Sequence, residues 1–211
     1  STVSNRSRTY VENILSKISG EHFKNYQVTK IKSNTNGIDL YYGGKSEFFS
    51  YDKVVLASHA DQALSIIDEP TKEELEILSK FKYRENIAVI HTDESIMPNN
   101  KDIWSSWNSS VDKNNIENNS ITYWLNLLQN LDFNKNIFLT LNPNFKINED
   151  KILKKVNFTH PYFDQSALDN QNKLKNLQNK KNLLFCGSYV GYGFHEDGIK
   201  SSIEMIKAID V

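Results

Sequence analysis

The residues richest in chemistry lie near the end of the chain, in LLFCGSYVGYGFHEDGIKSSIEMIKAI (183–209). An apolar run ends in Cys186-Gly187-Ser188, a loop rich in glycine and aromatic residues follows, and His195-Glu196-Asp197 opens a helical pattern. Four of the chain's 8 glycines fall between Gly187 and Gly198. A strand, a glycine loop and a helix N-terminus together suit a negatively charged or electron-rich ligand. The first turn of a helix has unpaired N–H groups, and its macrodipole adds roughly half a positive charge there. Gly198 lies in that first turn and Gly187 at the strand end, and both lack the Cβ that would hold a flat ligand off the backbone. A tight strand-to-helix corner would use the same glycines. Glu196 and Asp197 read equally well as ordinary first-turn acids that complement the dipole.

Other groups could do other chemistry. His195 has no second histidine or cysteine at metal-ligand spacing, so a metal role is disfavoured. A general base needs a cleft and a partner that spacing does not reveal. An N-cap or a ligand-contacting residue needs neither, and is the preferred reading. Ser58-His59 and Ser188 raise a hydrolase, but there is no G-x-S-x-G elbow. Cys186, ending an apolar strand, reads as a buried small residue. Trp104, Trp107, Tyr123 and Trp124 read as core, or as the lining of an apolar pocket.

The elements that must position these groups follow from periodicity. Thr9-x-x-Glu12 is a capping-box pattern before Tyr10, Val11, Ile14, Leu15 and Ile18, predicting a helix over 9–19. Strands are expected at 27–32, 37–42 and 46–51, joined by Asn36-Gly37 and Gly43-Gly44 turns as an antiparallel meander. Lys53–Ser58 is apolar without alternation, so it reads as a strand buried on both faces. Short helices follow at 60–67 and from the Thr71-x-x-Glu74 box to about 80. Residues 81–92, 104–109, 120–125, 137–141 and 152–158 read as strands, the last broken by Pro161. Ser109–Asn119 reads as an exposed polar loop. A helix is expected at 165–177, a strand at 183–186, and a helix at 196–209 with Ile199, Ile203, Ile206 and Ile209 along one face. The fold class is mixed α/β, divided as 1–80, 81–164 and 165–211, with the first and last parts sharing one domain.

Bulk properties narrow the function. The chain has 211 residues, with 25 Lys+Arg against 26 Asp+Glu and a net charge of −1, so no nucleic-acid partner is implied. Its 1 cysteine rules out an internal disulfide framework and fits a reducing, cytoplasmic setting. No apolar run approaches the ~20 residues of a membrane-spanning helix.

The terminal segment FCGSYVGYGFHEDGIKSSIEMIKAI resembles the C-terminal flavin motif of the flavin-containing amine oxidase superfamily. It is most similar to the branch of predicted NAD/FAD-binding proteins associated with cyclopropane-fatty-acid-synthase-like genes. SRTYVENI (7–14), VVLASHADQAL (54–64), FKYRENIAVIHTDESIMP (81–98), WSSWN (104–108), ITYWLNLLQNL (121–131), TLNP (140–143) and FTHPYFDQSAL (158–168) agree in order. The resemblance covers nearly the whole chain.

It implies part of a glutathione-reductase-type FAD domain together with a substrate domain on a mixed or antiparallel sheet. Residues 1–80 and 165–211 would supply the FAD-domain pieces, and 81–164 the substrate sheet. The family's G-x-G-x-x-G turn, which binds the FAD pyrophosphate, has no counterpart here. Asn5-Arg6 stands where the family has Gly-Gly. The chain is therefore expected to be a C-terminal fragment that needs an N-terminal half. Carried over from the family, the Val28 backbone meets the adenine, and Ala57 and Ser58 end the strand beside the cofactor. Gly187 and Ser188 lie near the ribityl and pyrophosphate. Glu196, Asp197 and Gly198 open the helix that faces the flavin pyrimidine, and His195 or Tyr192 lies near the ring system. No residue is given a catalytic role. The implied function is FAD-dependent oxidation of a small organic, amine or lipid-like substrate by hydride transfer. The alternative is an inactive substrate-binding or assembly half that binds no flavin alone and pairs with its other half or with a second copy.

Overall fold

The computed structural model describes residues 6–112 and 115–209. In chain order the elements are α1 (Arg6–Leu15), β1 (Val28–Asn34), β2 (Gly37–Tyr42), β3 (Phe48–Tyr51), β4 (Val54–Leu56), α2 (Ala60–Ile66), α3 (Lys72–Leu78) and β5 (Lys82–His91). Then come β6 (Trp107–Asp112), β7 (Asn115–Trp124), α4 (Leu125–Leu128), β8 (Phe138–Leu141), β9 (Ile152–Tyr162), α5 (Gln165–Gln171), β10 (Leu183–Phe185) and α6 (His195–Lys207). The fold class is mixed α/β, as expected.

By compactness the chain divides into two units. One comprises Glu85–His160 with the described part of Ser1–Glu21, and the other His22–Arg84 with Pro161–Val211. The first is built on a five-stranded sheet of order β6-β7-β8-β5-β9. The second combines the antiparallel meander β1-β2-β3 with the parallel pair β10-β4. Its core gathers Ile31 and Ile38 of the meander, Leu56 of β4, Leu78 of α3, Leu174 and Leu177 after α5, and Phe185 of β10.

Several local expectations change. The helix predicted over 9–19 is α1, three residues earlier at its start, so Thr9 lies inside it and the Thr9–Glu12 box does not cap it. Glu12 instead accepts from Arg8 Nε at 2.6 Å. The second box does form: Thr71 Oγ1 accepts from Glu74 N–H, and Glu74 Oε2 accepts from Thr71 N–H. Trp104 caps a 3-10 turn at Lys101–Ile103 and is not in a strand.

The described residues of the polar stretch 109–119 are not a loop. They form most of the β6–β7 ribbon, with Ser109 opposite Ile121 and Val111 opposite Asn119. Backbone pairing across an antiparallel ribbon does not require apolar side chains, so composition misled here. Pro161 does not break its strand, because β9 runs through it to Tyr162. β9 is the last strand of the sheet, and an edge tolerates a residue without an N–H. The helix expected over 165–177 is α-helical only to Gln171 and continues as 3-10. β4 is not buried on both faces. Val54 and Leu56 are buried, while Val55 is 44% exposed. The isoleucine face of α6 is likewise uncovered at Ile199, Ile203 and Ile206, and the helix buries Met205 against Leu184 and Cys186 instead.

Candidate functional site

The parallel pair sets the site. β4 and β10 run in register, Leu183 beside Val54 and Phe185 beside Leu56, and Cys186 N–H donates to Leu56 O at 3.1 Å. Both strands therefore end at the same level. Ala57-Ser58 leaves one strand and Gly187-Ser188 the other, side by side at the carboxyl end of a parallel pair. Ligands of α/β proteins bind at such strand ends. Ala57 and Ser58 are exposed, and Gly187 and Ser188 half-buried.

A single 3-10 turn, Ser188–Val190, then carries the chain to α6. α6 packs back on this turn, since a Cβ built on Gly198 would lie 3.8 Å from Ser188 N. Gly187, Ser188, Glu196, Asp197 and Gly198 are thus brought to one place. Val28 is not part of that cluster. It belongs to the meander, pairs with Tyr42 and packs on the unit's core.

The loop is held by groups that spacing does not reveal. Asp197 Oδ2 accepts from both Tyr192 N–H and Phe194 N–H, at 3.0 Å each. Gln171 Nε2 donates to Gly191 O at 2.6 Å and to Tyr189 O at 3.2 Å. Gly187 N–H donates to Ser201 Oγ at 3.1 Å. Gln171 and Ser201 stand 20 and 14 residues from the groups they hold. No local motif marks them. His195 is the first residue of α6 and not its N-cap, which is Phe194. The cap position is served by the Asp197 carboxylate.

The glycines have distinct jobs. Gly193 has φ +89°, a left-handed conformation that a side chain would strain. A Cβ on Gly191 would lie 2.5 Å from the Asp197 carboxyl carbon, and one on Gly187 would lie 2.5 Å from the Tyr189 ring. Those two spaces are filled by the protein's own side chains. Gly198 differs. Nothing lies closer to its virtual Cβ than 3.8 Å, and glycine inside a helix costs about 1 kcal/mol relative to alanine. The protein's own packing does not ask for a glycine there.

Tyr189 is the second feature that sequence reading missed. Its ring sits on Gly187 and against Phe81, with centroids 4.8 Å apart. The hydroxyl is buried without a hydrogen-bond partner among the described residues. Burial pushes its ionisation well above the usual phenol range. In the same unit, burial raises the Tyr83 phenol to about 12, partly offset by the Ala60 N–H that its oxygen accepts at 2.8 Å.

The other candidates resolve plainly. Ser58 Oγ donates to the adjacent His59 carbonyl at 3.3 Å, and the His59 ring stacks on Tyr83 at 4.1 Å, so these residues do not form a nucleophile–base pair. Cys186 is buried. No cluster of His, Cys, Asp and Glu suited to a metal ion occurs among the described residues. Trp104, Trp124 and Phe138 pack edge to face in the five-stranded unit, while Trp107 is exposed against Tyr123.

A buried polar cluster does exist in that unit. Asp93 N–H donates to His91 Nδ1 at 3.2 Å, which leaves the ring proton on Nε2 to be donated to Thr140 Oγ1 at 2.8 Å. Thr140 in turn bonds Thr122 at 2.9 Å. Burial holds His91 below its ordinary value, that is, neutral. Burial alone would raise Asp93. Hydrogen bonds from Asn148 N–H, Ser95 and Lys151 outweigh it and hold the carboxyl far below the usual range. These groups satisfy one another, so the cluster is a structural brace.

No family model and no curated protein matches the sequence. Solved structures do match. A conjugated-linoleic-acid-producing fatty acid isomerase from P. acnes superposes with a TM-score of 0.65 at 14% identity, over 97% of this chain and 52% of that one. Putrescine oxidase, solved bound to putrescine, gives 0.62 at 10%, over 98% and 52%. Cyclohexylamine oxidase from Brevibacterium oxydans gives 0.54 at 10%, over 88% and 49%. The chain shares the fold of these solved enzymes. The chain spans about half the length of the solved chains it matches. At these identities the likeness is one of fold alone. Among the described residues no helix is long and apolar enough to cross a membrane.

Proposed function

We propose that this chain is the C-terminal half of an FAD-dependent oxidoreductase that oxidises an organic substrate, an amine or a lipid-like molecule, by hydride transfer to flavin. The observation that carries the reading is the Gly187–Gly198 cradle at the carboxyl end of a parallel pair, in a chain with half of a flavin amine oxidase fold. The residues fit the cofactor: the flank of Gly198 is open and its glycine is not demanded by the protein's packing. Gly187, Ser188, Ala57 and Ser58 would lie along the ribityl and phosphate portion, and Val28 at the adenine. The first turn of α6, with His195, Glu196 and Gly198, would face the pyrimidine edge, while Asp197 keeps that turn in place by holding the loop N–H groups. When bound, the flavin supplies the hydride acceptor. The N-terminal field of the 13-residue α6 would stabilise negative charge on the reduced ring. In this reading the meander, β4, β10 and α6 form FAD-domain pieces, and the five-stranded sheet carries the substrate. The buried single cysteine is compatible with a cytoplasmic setting.

A second reading has its own support. The spaces at Gly187 and Gly191 are already filled by Tyr189 and Asp197, and half of the fold is represented. As a separate polypeptide the chain would then be an assembly half that binds no flavin. Titrating it with FAD, followed by flavin fluorescence, separates the two. Micromolar binding overturns the second reading. A protein joining this chain to the rest of the fold, purified without flavin absorbance, overturns the first.

A further inference from the structure

We propose that the tip of the meander, around the turn joining β2 and β3, seats in an anionic lipid surface. The tip is aromatic on both of its faces. On one, Tyr42 stacks on Phe49 at 5.2 Å and Tyr26 meets Tyr42 at 5.0 Å. Phe23 touches both Tyr26 at 5.2 Å and Phe49 at 6.1 Å, closing a ring of four side chains. On the other face the cross-strand partners Tyr41 and Phe48 meet at 5.3 Å. Phe23, Tyr26, Phe48 and Phe49 are 51%, 47%, 49% and 43% exposed.

The first of these faces is the core-facing side of the meander, because Phe49 is the register partner of Leu40, which packs on the core. Uncovered aromatic surface on that side alone would suit a flat polypeptide partner. The rings on the opposite side need a different account. A tip apolar on both faces is matched by a medium that surrounds it, as the boundary between acyl chains and headgroups does.

Charge supports the same occupant. Lys30 Nζ lies 4.5 Å from the Tyr41 ring centre and Lys45 Nζ lies 5.7 Å from that of Tyr42. Residues 22–34, HFKNYQVTKIKSN, carry Lys24, Lys30 and Lys32 and no carboxylate. Of the nearby acids, Asp39 is engaged by Asn34 Nδ2 at 2.9 Å and by Ser50 Oγ at 2.7 Å, and Asp68 Oδ2 lies 3.9 Å from Lys30 Nζ, which leaves Glu47 on the turn against Lys24, Lys32 and Lys45. Ammonium groups held over exposed aromatic rings put positive charge at the level where headgroup phosphates would lie as the rings enter the boundary. At the turn itself Gly43 and Gly44 have φ +60° and +69°, and nothing lies within 4 Å of either virtual Cβ, so the backbone there is unobstructed.

The test is cosedimentation of the full chain with phosphatidylcholine vesicles, with and without about one third phosphatidylserine. Binding is expected on the anionic vesicles, weakly or not at all on the neutral ones, and falling as salt rises. Phe48→Ser with Phe49→Ser should lower the partition about tenfold or more. Lys30→Glu with Lys45→Glu should lower it about tenfold. Circular dichroism checks that each variant is folded. If the Phe pair fails that check, Phe48→Ser alone, on the solvent side of the meander, and the lysine pair carry the test. A folded wild-type chain that ignores anionic vesicles overturns the proposal. So does a concentration-dependent dimer abolished by Phe48→Ser, since the tip would then cover a second copy.

Discussion

The brace around His91 and the loop around Gly187 both bury polar groups, and they end differently. In the five-stranded unit every donor named, from Asp93 N–H through His91 to Thr140, has an acceptor in hydrogen-bond range. In the strand–loop–helix, Tyr189 buries a hydroxyl with none among the described residues, directly over a glycine at the end of a parallel strand. A satisfied cluster is a stabilising brace. An unsatisfied group beside open strand ends marks a place where the structure is not optimised for itself. Titratable residues alone do not separate the two regions, because Asp93 in one and Tyr189 in the other are both strongly perturbed.

The largest expected effect tests the brace. Asp93→Ala leaves Asn148 N–H, Ser95 and Lys151 without their acceptor, and should cost about 3 kcal/mol, read from urea unfolding. A loss below ~1 kcal/mol would erase the contrast. Next comes the pair of glycines. Gly187→Ala drives a methyl into the Tyr189 ring and should cost about 2 kcal/mol. Gly198→Ala, with room for the methyl, should be neutral or stabilising by up to about 1 kcal/mol. Equal losses at both would remove the distinction between a filled flank and an open one.

The pH response of the brace follows in size. His91 binds its proton less readily folded than unfolded. Its contribution is therefore complete above the ordinary 6.5 and is lost as pH falls below that. Asp93 is also held below its ordinary 3.8, so a second loss begins there and continues downward. Urea midpoints that stay flat through the histidine range would show that His91 is not held neutral. Smallest is Tyr189→Phe, which removes the unpaired hydroxyl and should stabilise the chain by about 1 kcal/mol. A destabilised variant would mean that the hydroxyl has a partner, making the two regions alike.

Much of the fold was legible because period and turn chemistry are local. The meander follows from Asn36-Gly37, Gly43-Gly44 and alternation, and the Thr71–Glu74 box places the start of α3. The strand–loop–helix at 183–207 was legible for the same reason. Three errors share a cause. Pro161 survives in β9 because that strand lies at the sheet edge, the polar stretch 109–119 pairs through backbone groups, and the α6 isoleucines stay uncovered. Each depends on which neighbour lies alongside, and nothing local encodes that.

The sequence by itself determined a mixed α/β chain and a glycine cradle opening a helix. Both rest on contacts only a few residues long, and the multi-segment resemblance pointed to the amine oxidase fold. Only the tertiary structure decided that β4 and β10 end side by side, bringing Ser58 to Gly187 across 129 positions of chain. Only it decided that Asp197 spends its carboxylate on loop N–H groups and that Tyr189 fills the Gly187 flank. Long-range pairing and the competition for each hydrogen-bonding group are settled by packing in space, where sequence distance carries no information.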